Sequence, residues 1–213
     1  MTAAPLEVGP ARIRFRWLIA AGEGRALLAS AAAYFALLAG YYMLRSLREA
    51  FALEVGREHI GTLFYVTFAV MLFVLPLYWF VVARIPRRLL FPAIYSAVVL
   101  LFLGIAAGMM QAPNSRILAA VYFVAVTSLN LFMVSVFWSV MADAWRSESA
   151  RRLFGFIAAG GSAGAIVGPA FNSLFVERLG TSWVIVAACG LLIIAIFAGR
   201  RAQRVGGSGA AGA

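Results

Sequence analysis

The first long apolar stretch of the sequence ends in a group of charged and aromatic residues. Arg48 and Glu49 follow Arg45 by three and four residues. Tyr41 and Tyr42 precede Arg45 by about one helical turn, so on a helix these side chains share one face. Guanidinium groups bind carboxylate or phosphate through paired hydrogen bonds, and tyrosines add stacking surfaces and hydroxyls. We interpret the five residues as a candidate substrate-binding site for an anion.

A purely structural interpretation of the same residues stays open. Arg45 follows about 19 apolar residues, which at 1.5 Å each nearly cross a hydrocarbon layer of about 30 Å. At that depth Arg45 and Glu49 would form an interfacial ion pair, and the other side chains would extend to the lipid headgroups.

Further polar candidates lie in the fourth apolar stretch. Asn130 is assigned to substrate binding, because a buried amide without partners is costly. Trp138, which lies among the polar residues of the same stretch, is assigned to the same site. The serines nearby are assigned to hydrogen bonds between helices. Asp143 precedes a basic loop and is expected to form a salt bridge there.

Metal and thiol chemistry find no support in the sequence. The chain has a single cysteine, Cys189, and a single histidine, His59, so a cluster of such ligands is excluded. The serines also lack a nearby base. We therefore expect no enzyme, no catalytic residues, no metal and no cofactor.

The composition requires a membrane. Of 213 residues, 64% are hydrophobic and only 12% are charged, too few to cover a soluble fold. The net charge of +10 would suggest nucleic acid in a soluble chain, but here the arginines lie between apolar runs. They indicate topology instead, and the expected partner is the lipid bilayer rather than nucleic acid.

Six apolar runs have the length of a membrane-crossing helix. They cover residues 26–50, 60–82, 89–110, 117–143, 153–176 and 182–199. Strands are excluded because a spanning strand is shorter and alternates in polarity. The predicted fold class is an all-α polytopic membrane protein with six transmembrane helices.

The arginines predict the orientation. Thirteen of them lie before the first run, in alternate loops and after the last run, whereas five lie on the opposite side. The positive-inside rule then places both termini in the cytoplasm of a bacterial inner-membrane protein. The predicted organisation is a basic cytoplasmic segment (1–25), a transmembrane domain (26–199) and a basic, then glycine-rich, tail or linker (200–213). Residues 11–20 either lie on the anionic inner surface or form a disordered leader.

The fifth apolar run contains a glycine repeat. Gly160, Gly164 and Gly168 are four residues apart, a spacing that lets another helix backbone approach closely. Pro169 follows directly and is expected to kink the helix. The sequence therefore predicts a tight helix contact at this repeat.

These residues resemble a known motif. Gly155, Gly164, Gly168 and Pro169 match the fifth-helix motif of antiporters in the major facilitator superfamily. Asn172 stands where that motif has a glycine. The resemblance adds Gly155 to the predicted helix-packing residues.

The loop after the second run is also similar to a motif of that superfamily. Arg84, Arg87 and Arg88 match the basic positions of its cytoplasmic loop, whereas Ala83 replaces the aspartate. The resemblance implies a gating role for these three arginines and for Asp143.

A closer resemblance is to bacterial relatives of the ATP/ADP translocase group. It rests on YYMLRSLREAF, NLFMVSVFWSVMADAW and RRLFGFIAAGGSAGAIVGP. Those exchangers carry an acidic residue in the fourth helix, whereas this chain has Val126 and Thr127 near that position. The resemblance implies a six-helix half of a facilitator, built from inverted three-helix repeats, and a nucleotide-like solute.

The leading functional hypothesis is a secondary active transporter, or the N-terminal half of one, for a small polar or anionic solute. A second six-helix half would follow in the full gene or come from a dimer partner. The alternative is a non-transporting accessory or assembly protein that pairs through its glycine-rich fifth helix.

Overall fold

The computed structural model describes residues 23–145 and 147–209, with side chains at all of these except 23, 87, 131, 147–152 and 205–209. Within these ranges every regular element is helical. The six α-helices are α1 (Glu23–Val55), α2 (Ile60–Arg84), α3 (Arg87–Gln111), α4 (Arg116–Ala144), α5 (Ser147–Leu179) and α6 (Thr181–Gly209). A short 3₁₀ turn, Arg57–His59, links α1 to α2.

All six α-helices are long and apolar enough to cross a membrane. The prediction of an all-α membrane protein with six membrane-crossing helices is confirmed. Most of the predicted basic segment 1–25, and the last four residues of the predicted tail, lie outside the described residues.

The observed helices extend beyond the predicted apolar runs. α1 continues to Val55 rather than ending near Ala50, and α6 continues through Arg200 and Arg201 to Gly209. The first predicted run ended just after Glu49 and the sixth just before Arg200, but the backbone hydrogen bonds of a helix do not depend on side-chain polarity. Arg45 and Arg48 therefore lie inside α1 rather than at its end.

Two helix junctions depend on glycine. Gly56 and Gly180 have φ angles of 110° and 80°, a region that other residues rarely adopt. The Gly180 N–H donates a 2.9 Å hydrogen bond to the Val176 carbonyl, as is common where a helix ends. Both glycines allow a short connection between consecutive helices.

α1 is the central helix of the bundle. It packs against α5, α6 and α4, while α6 also packs against α3. α2 packs mainly against α4, and only 6% of its most apolar stretch is buried, against 67% for α1. α1 is thus surrounded by protein, and α2 presents most of its apolar surface outward.

Large aromatic side chains fill the interior. Tyr95 donates a hydrogen bond to the Met133 carbonyl, and Tyr122 donates one of 2.8 Å to the Leu44 carbonyl. Both rings are fully buried. Each hydroxyl satisfies a polar group inside the bundle while the ring supplies apolar contact area.

Candidate functional site

Three glycines of α5 lie directly against the backbone of α1. A Cβ atom added to Gly160 would lie 2.7 Å from a carbonyl oxygen of α1, and one added to Gly164 or Gly168 would lie closer still. The facing carbonyls belong, in the same order, to Ala31, Phe35 and Ala39. Both series advance by four residues, so α1 and α5 run parallel in one register. We call Gly160, Gly164 and Gly168 the glycine seam.

Gly155 and Pro169, the other residues predicted to pack helices together, lie outside the glycine seam. Gly155 is exposed, and a Cβ added there would meet no described atom within 4 Å. It therefore lies outside the glycine seam, although the resemblance grouped it with the packing residues. α5 continues through the partly buried Pro169 to Leu179.

Asn172 occupies the next step of the same series, four residues after Gly168. Its Nδ2 donates a 2.7 Å hydrogen bond to the Met43 carbonyl of α1 and a second bond to the Ser46 hydroxyl. Sequence reasoning did not select Asn172 as a functional residue. The signal was present, because an amide continues the four-residue spacing inside an apolar run.

Arg48 connects α1 to α4. Its Nη1 donates a 3.4 Å hydrogen bond to the Thr127 hydroxyl, and its guanidinium carbon lies 5.5 Å from the centroid of the Phe123 ring. Its Nη2 forms an ion pair with the carboxylate of the neighbouring Glu49. We call Arg45, Arg48, Glu49 and Thr127 the arginine cluster.

The two members of the ion pair differ in exposure. The Arg48 side chain is 18% exposed and that of Glu49 is 68% exposed. The Arg48 Nε is buried and has no hydrogen-bond partner among the described residues. The structural interpretation expected an ion pair between Arg45 and Glu49, but the glutamate pairs with Arg48 instead.

Arg45 and the tyrosines complete the surroundings of this site. The Arg45 guanidinium carbon lies 5.4 Å from the centroid of the Tyr42 ring, within range of a cation–π interaction. The Tyr41 ring meets the Tyr42 ring edge to face and is buried in the bundle. Tyr42 is thus the tyrosine whose ring contacts a cationic group.

Helix lengths indicate the depth of the arginine cluster. α1 continues for about two turns, or about 10 Å, beyond Arg48. Thr127 lies about three turns, or about 16 Å, from the start of α4. α1 has 33 residues and is about 50 Å long, so a hydrocarbon layer about 30 Å thick places Arg48 near the edge of the apolar layer.

The two α4 candidates do not join this cluster. Asn130 is exposed, so its amide is not the buried polar group that the sequence predicted. The half-buried Trp138 donates a 3.2 Å hydrogen bond from its Nε1 to the Tyr34 hydroxyl. Trp138 also lies about three turns along α4 from Thr127, or about 16 Å.

The predicted gating residues lie at the opposite end of the bundle from Glu49. Arg84 is exposed in the last turn of α2, with its guanidinium carbon 4.7 Å from the Phe80 ring centroid. Arg88 and Asp143 are exposed as well. The side chain of Arg87 lies outside the described residues, as do those of Arg146, Arg151 and Arg152. Gating therefore stays a prediction.

A groove of about 780 Å³ between α2 and α4 lies apart from the arginine cluster. Its lining is almost entirely apolar, with His59 and Arg116 near one end. None of the residues predicted to bind substrate lines it. An apolar groove on the outer side of a membrane protein fits lipid better than a polar solute.

Comparison of this chain with protein-family models, with curated proteins and with solved structures finds no match. Function is therefore inferred from the chemistry of its own side chains. The arginine cluster is the strongest candidate, because it places a cation and unused hydrogen-bond donors within an apolar helix bundle.

Proposed function

We propose that the chain is a secondary active transporter, or the N-terminal half of one, that moves a small polar or anionic solute by alternating access. The observation that carries this proposal is the mostly buried side chain of Arg48, which lies within a membrane-length helix and contacts a second helix. Ionisable groups buried within membrane helices are costly, and they typically mark solute or ion pathways.

The donors of the arginine cluster suit an anion. Arg48 makes one long hydrogen bond to Thr127, and its Nε has no described partner, so its donors are only partly used. A carboxylate or phosphate would offer two acceptor oxygens to the planar guanidinium. Arg45 supplies a second cationic group about one turn away on the same helix.

The Glu49 carboxylate would compete with an anionic solute for Arg48. This carboxylate pairs with Arg48, and Glu49 is the more exposed partner. An anionic solute that binds Arg48 would displace Glu49. We propose that this exchange of the Glu49 carboxylate for the anionic group of the solute couples solute binding to rearrangement of the site.

α1 is joined to both α5 and α4 by polar and close backbone contacts. The glycine seam and the Asn172–Met43 hydrogen bond hold α1 and α5 in one register. Arg48 and Thr127 form one of several polar contacts between α1 and α4, beside the Tyr122–Leu44 and Trp138–Tyr34 hydrogen bonds. Solute binding at Arg48 would act on the Arg48–Thr127 contact, the one of these that involves the proposed site.

The resemblance to the major facilitator superfamily agrees with this proposal. Six membrane-length helices with predicted cytoplasmic termini match one half of such a transporter. The second half would follow in the same gene or come from a dimer partner. More specifically, we propose that the solute is nucleotide-like and that the protein lies in a bacterial inner membrane.

The alternative of an accessory protein gains no support from the glycine seam. That face of α5 is covered by α1 of the same chain. A partner subunit would have to contact another side of α5.

Uptake by proteoliposomes tests the proposal. The purified protein is reconstituted and offered labelled nucleotides and organic anions under defined proton gradients. We expect saturable uptake of one anion class, strongly reduced by Arg48→Ala and little changed by Arg178→Ala, which removes an exposed arginine at the end of α5. Equal loss in both variants, or no effect of Arg48→Ala, would overturn the assignment of the site.

A further inference from the structure

A second pair of arginines lines a groove where α1 begins and α6 ends. Arg25 of α1 and Arg201 of α6 border this groove, which has a volume of about 710 Å³. The rest of its lining is apolar and includes Leu28, Ile194 and Phe197. We call it the α1–α6 groove.

The antiparallel packing of α1 and α6 brings these arginines together. A Cβ atom added to Gly40 of α1 would lie 2.9 Å from the Ala188 carbonyl oxygen of α6. This close contact sets the register of the two helices. In that register Arg25 and Arg201 lie level with each other. Leu28 and Phe197 lie about one turn deeper towards the middle of the bundle. The groove is therefore cationic at the helix ends and apolar below them.

Neither arginine is neutralised within the part of the chain that the structure describes. Both are exposed, and neither forms an ion pair with a described acidic side chain. The apolar lining is exposed too, with Leu28 at 71% and Phe197 at 67%. A single ligand that satisfies both parts must combine an anionic group with a hydrocarbon chain.

We propose that the α1–α6 groove binds an anionic phospholipid. The phosphate accepts hydrogen bonds from Arg25 and Arg201, and an acyl chain lies along Leu28, Phe197 and Ile194. Basic pockets between membrane helices favour anionic headgroups, and guanidinium groups match the geometry of phosphate oxygens. A free phosphate would leave the apolar lining uncovered, so the groove fits a lipid better than a soluble anion.

This site is separate from the proposed solute site. Arg25 and Arg48 are about 35 Å apart along α1. Lipid bound in the groove would hold the start of α1 against the end of α6. The proposal can therefore be tested without a known solute.

Native mass spectrometry of the detergent-purified protein can measure this binding. Phosphatidylglycerol and phosphatidylcholine with the same acyl chains are titrated separately, and the bound lipids are counted. We expect the wild-type protein to prefer phosphatidylglycerol. The double variant Arg25→Gln with Arg201→Gln should bind it about 30-fold more weakly, because two headgroup contacts are lost.

A matched control removes two charges from the same end of the bundle. Arg200→Gln with Arg204→Gln changes two exposed arginines that do not line the groove. This control should bind phosphatidylglycerol nearly as well as the wild type. Equal weakening in both double variants would overturn the proposal, because it would show diffuse attraction between charges.

The wild-type protein alone also tests the proposal. Equal binding of the two lipids would overturn it, because the headgroup would not be recognised. Displacement of bound phosphatidylglycerol by millimolar glycerol phosphate would also overturn it, since the groove would then be a site for soluble anions. Neither measurement depends on whether the variants fold.

Discussion

The amide of Asn172 on α5 donates a 2.7 Å hydrogen bond to the carbonyl of Met43 on α1, one four-residue step beyond the glycine seam. Gly168 meets the Ala39 carbonyl at the preceding step. The helices therefore touch through small residues along most of the contact and through a polar side chain at its end. Ser46, which also bonds Asn172, lies two residues before Arg48. The α1–α5 contact thus fixes the part of α1 that carries the arginine cluster.

Gly164→Leu should sharply lower the yield of folded protein in detergent. Its new side chain would collide with the Phe35 carbonyl of α1 and force the two helices apart. Gly155→Leu is the matched control, because a Cβ there meets no described atom within 4 Å. Size-exclusion chromatography of both variants checks this. Equal yields would show that the seam does not require glycine.

Asn172→Ala should destabilise the protein by about 1 kcal/mol, the usual scale of a hydrogen bond between membrane helices. The loss stays modest because the Ser46 hydroxyl still donates to the Met43 carbonyl at 3.0 Å. The unfolding free energy in mixed micelles measures the effect.

Ser173→Ala is the control for Asn172→Ala, since the Ser173 hydroxyl is exposed and bonds the Ala170 carbonyl of its own helix at 2.9 Å. A destabilisation by Ser173→Ala as large as that by Asn172→Ala would contradict a specific role for the amide.

Arg48→Lys should weaken transport although the charge is kept, because an ammonium lacks the planar fork that holds two oxygens. Arg48→Ala should lose more, about ten- to a hundredfold in affinity if a charge-assisted hydrogen bond contributes about 1.5–3 kcal/mol. Uptake by proteoliposomes at varied solute concentration measures both. The expected order of transport is wild type, then lysine, then alanine.

Glu49→Gln serves as the control for the Arg48 series. If it abolishes expression while Arg48→Lys leaves uptake unchanged, the cluster is a structural ion pair and the site assignment is wrong.

Both termini should be cytoplasmic, because the arginines favour that side. Cysteines introduced at Arg12 and Gln203 should resist a membrane-impermeant maleimide in intact cells. A cysteine at Asn114, an exposed residue between α3 and α4, should react. The native Cys189 is buried and should give no background. Labelling at position 12 or 203 from outside would contradict the predicted topology.

The helical architecture follows from local sequence composition. A long apolar run in a bilayer must satisfy its backbone hydrogen bonds internally, and only a helix does so within one segment. The number and approximate positions of the six helices therefore follow from local composition. The four-residue spacing of Gly160, Gly164 and Gly168 likewise predicted a close helix contact, because that spacing keeps one face of a helix small.

Which helix surfaces meet is visible only in the folded bundle. The glycine seam contacts α1, and Arg48 bonds Thr127 across 79 positions of sequence, so neither pairing is encoded in local spacing. The structure also exposes Asn130 and buries Asn172, although both are amides inside apolar runs. Burial in a membrane bundle depends on which helices are neighbours. Those neighbours are set by packing between segments far apart in the chain, which the periodicity of a single helix cannot specify.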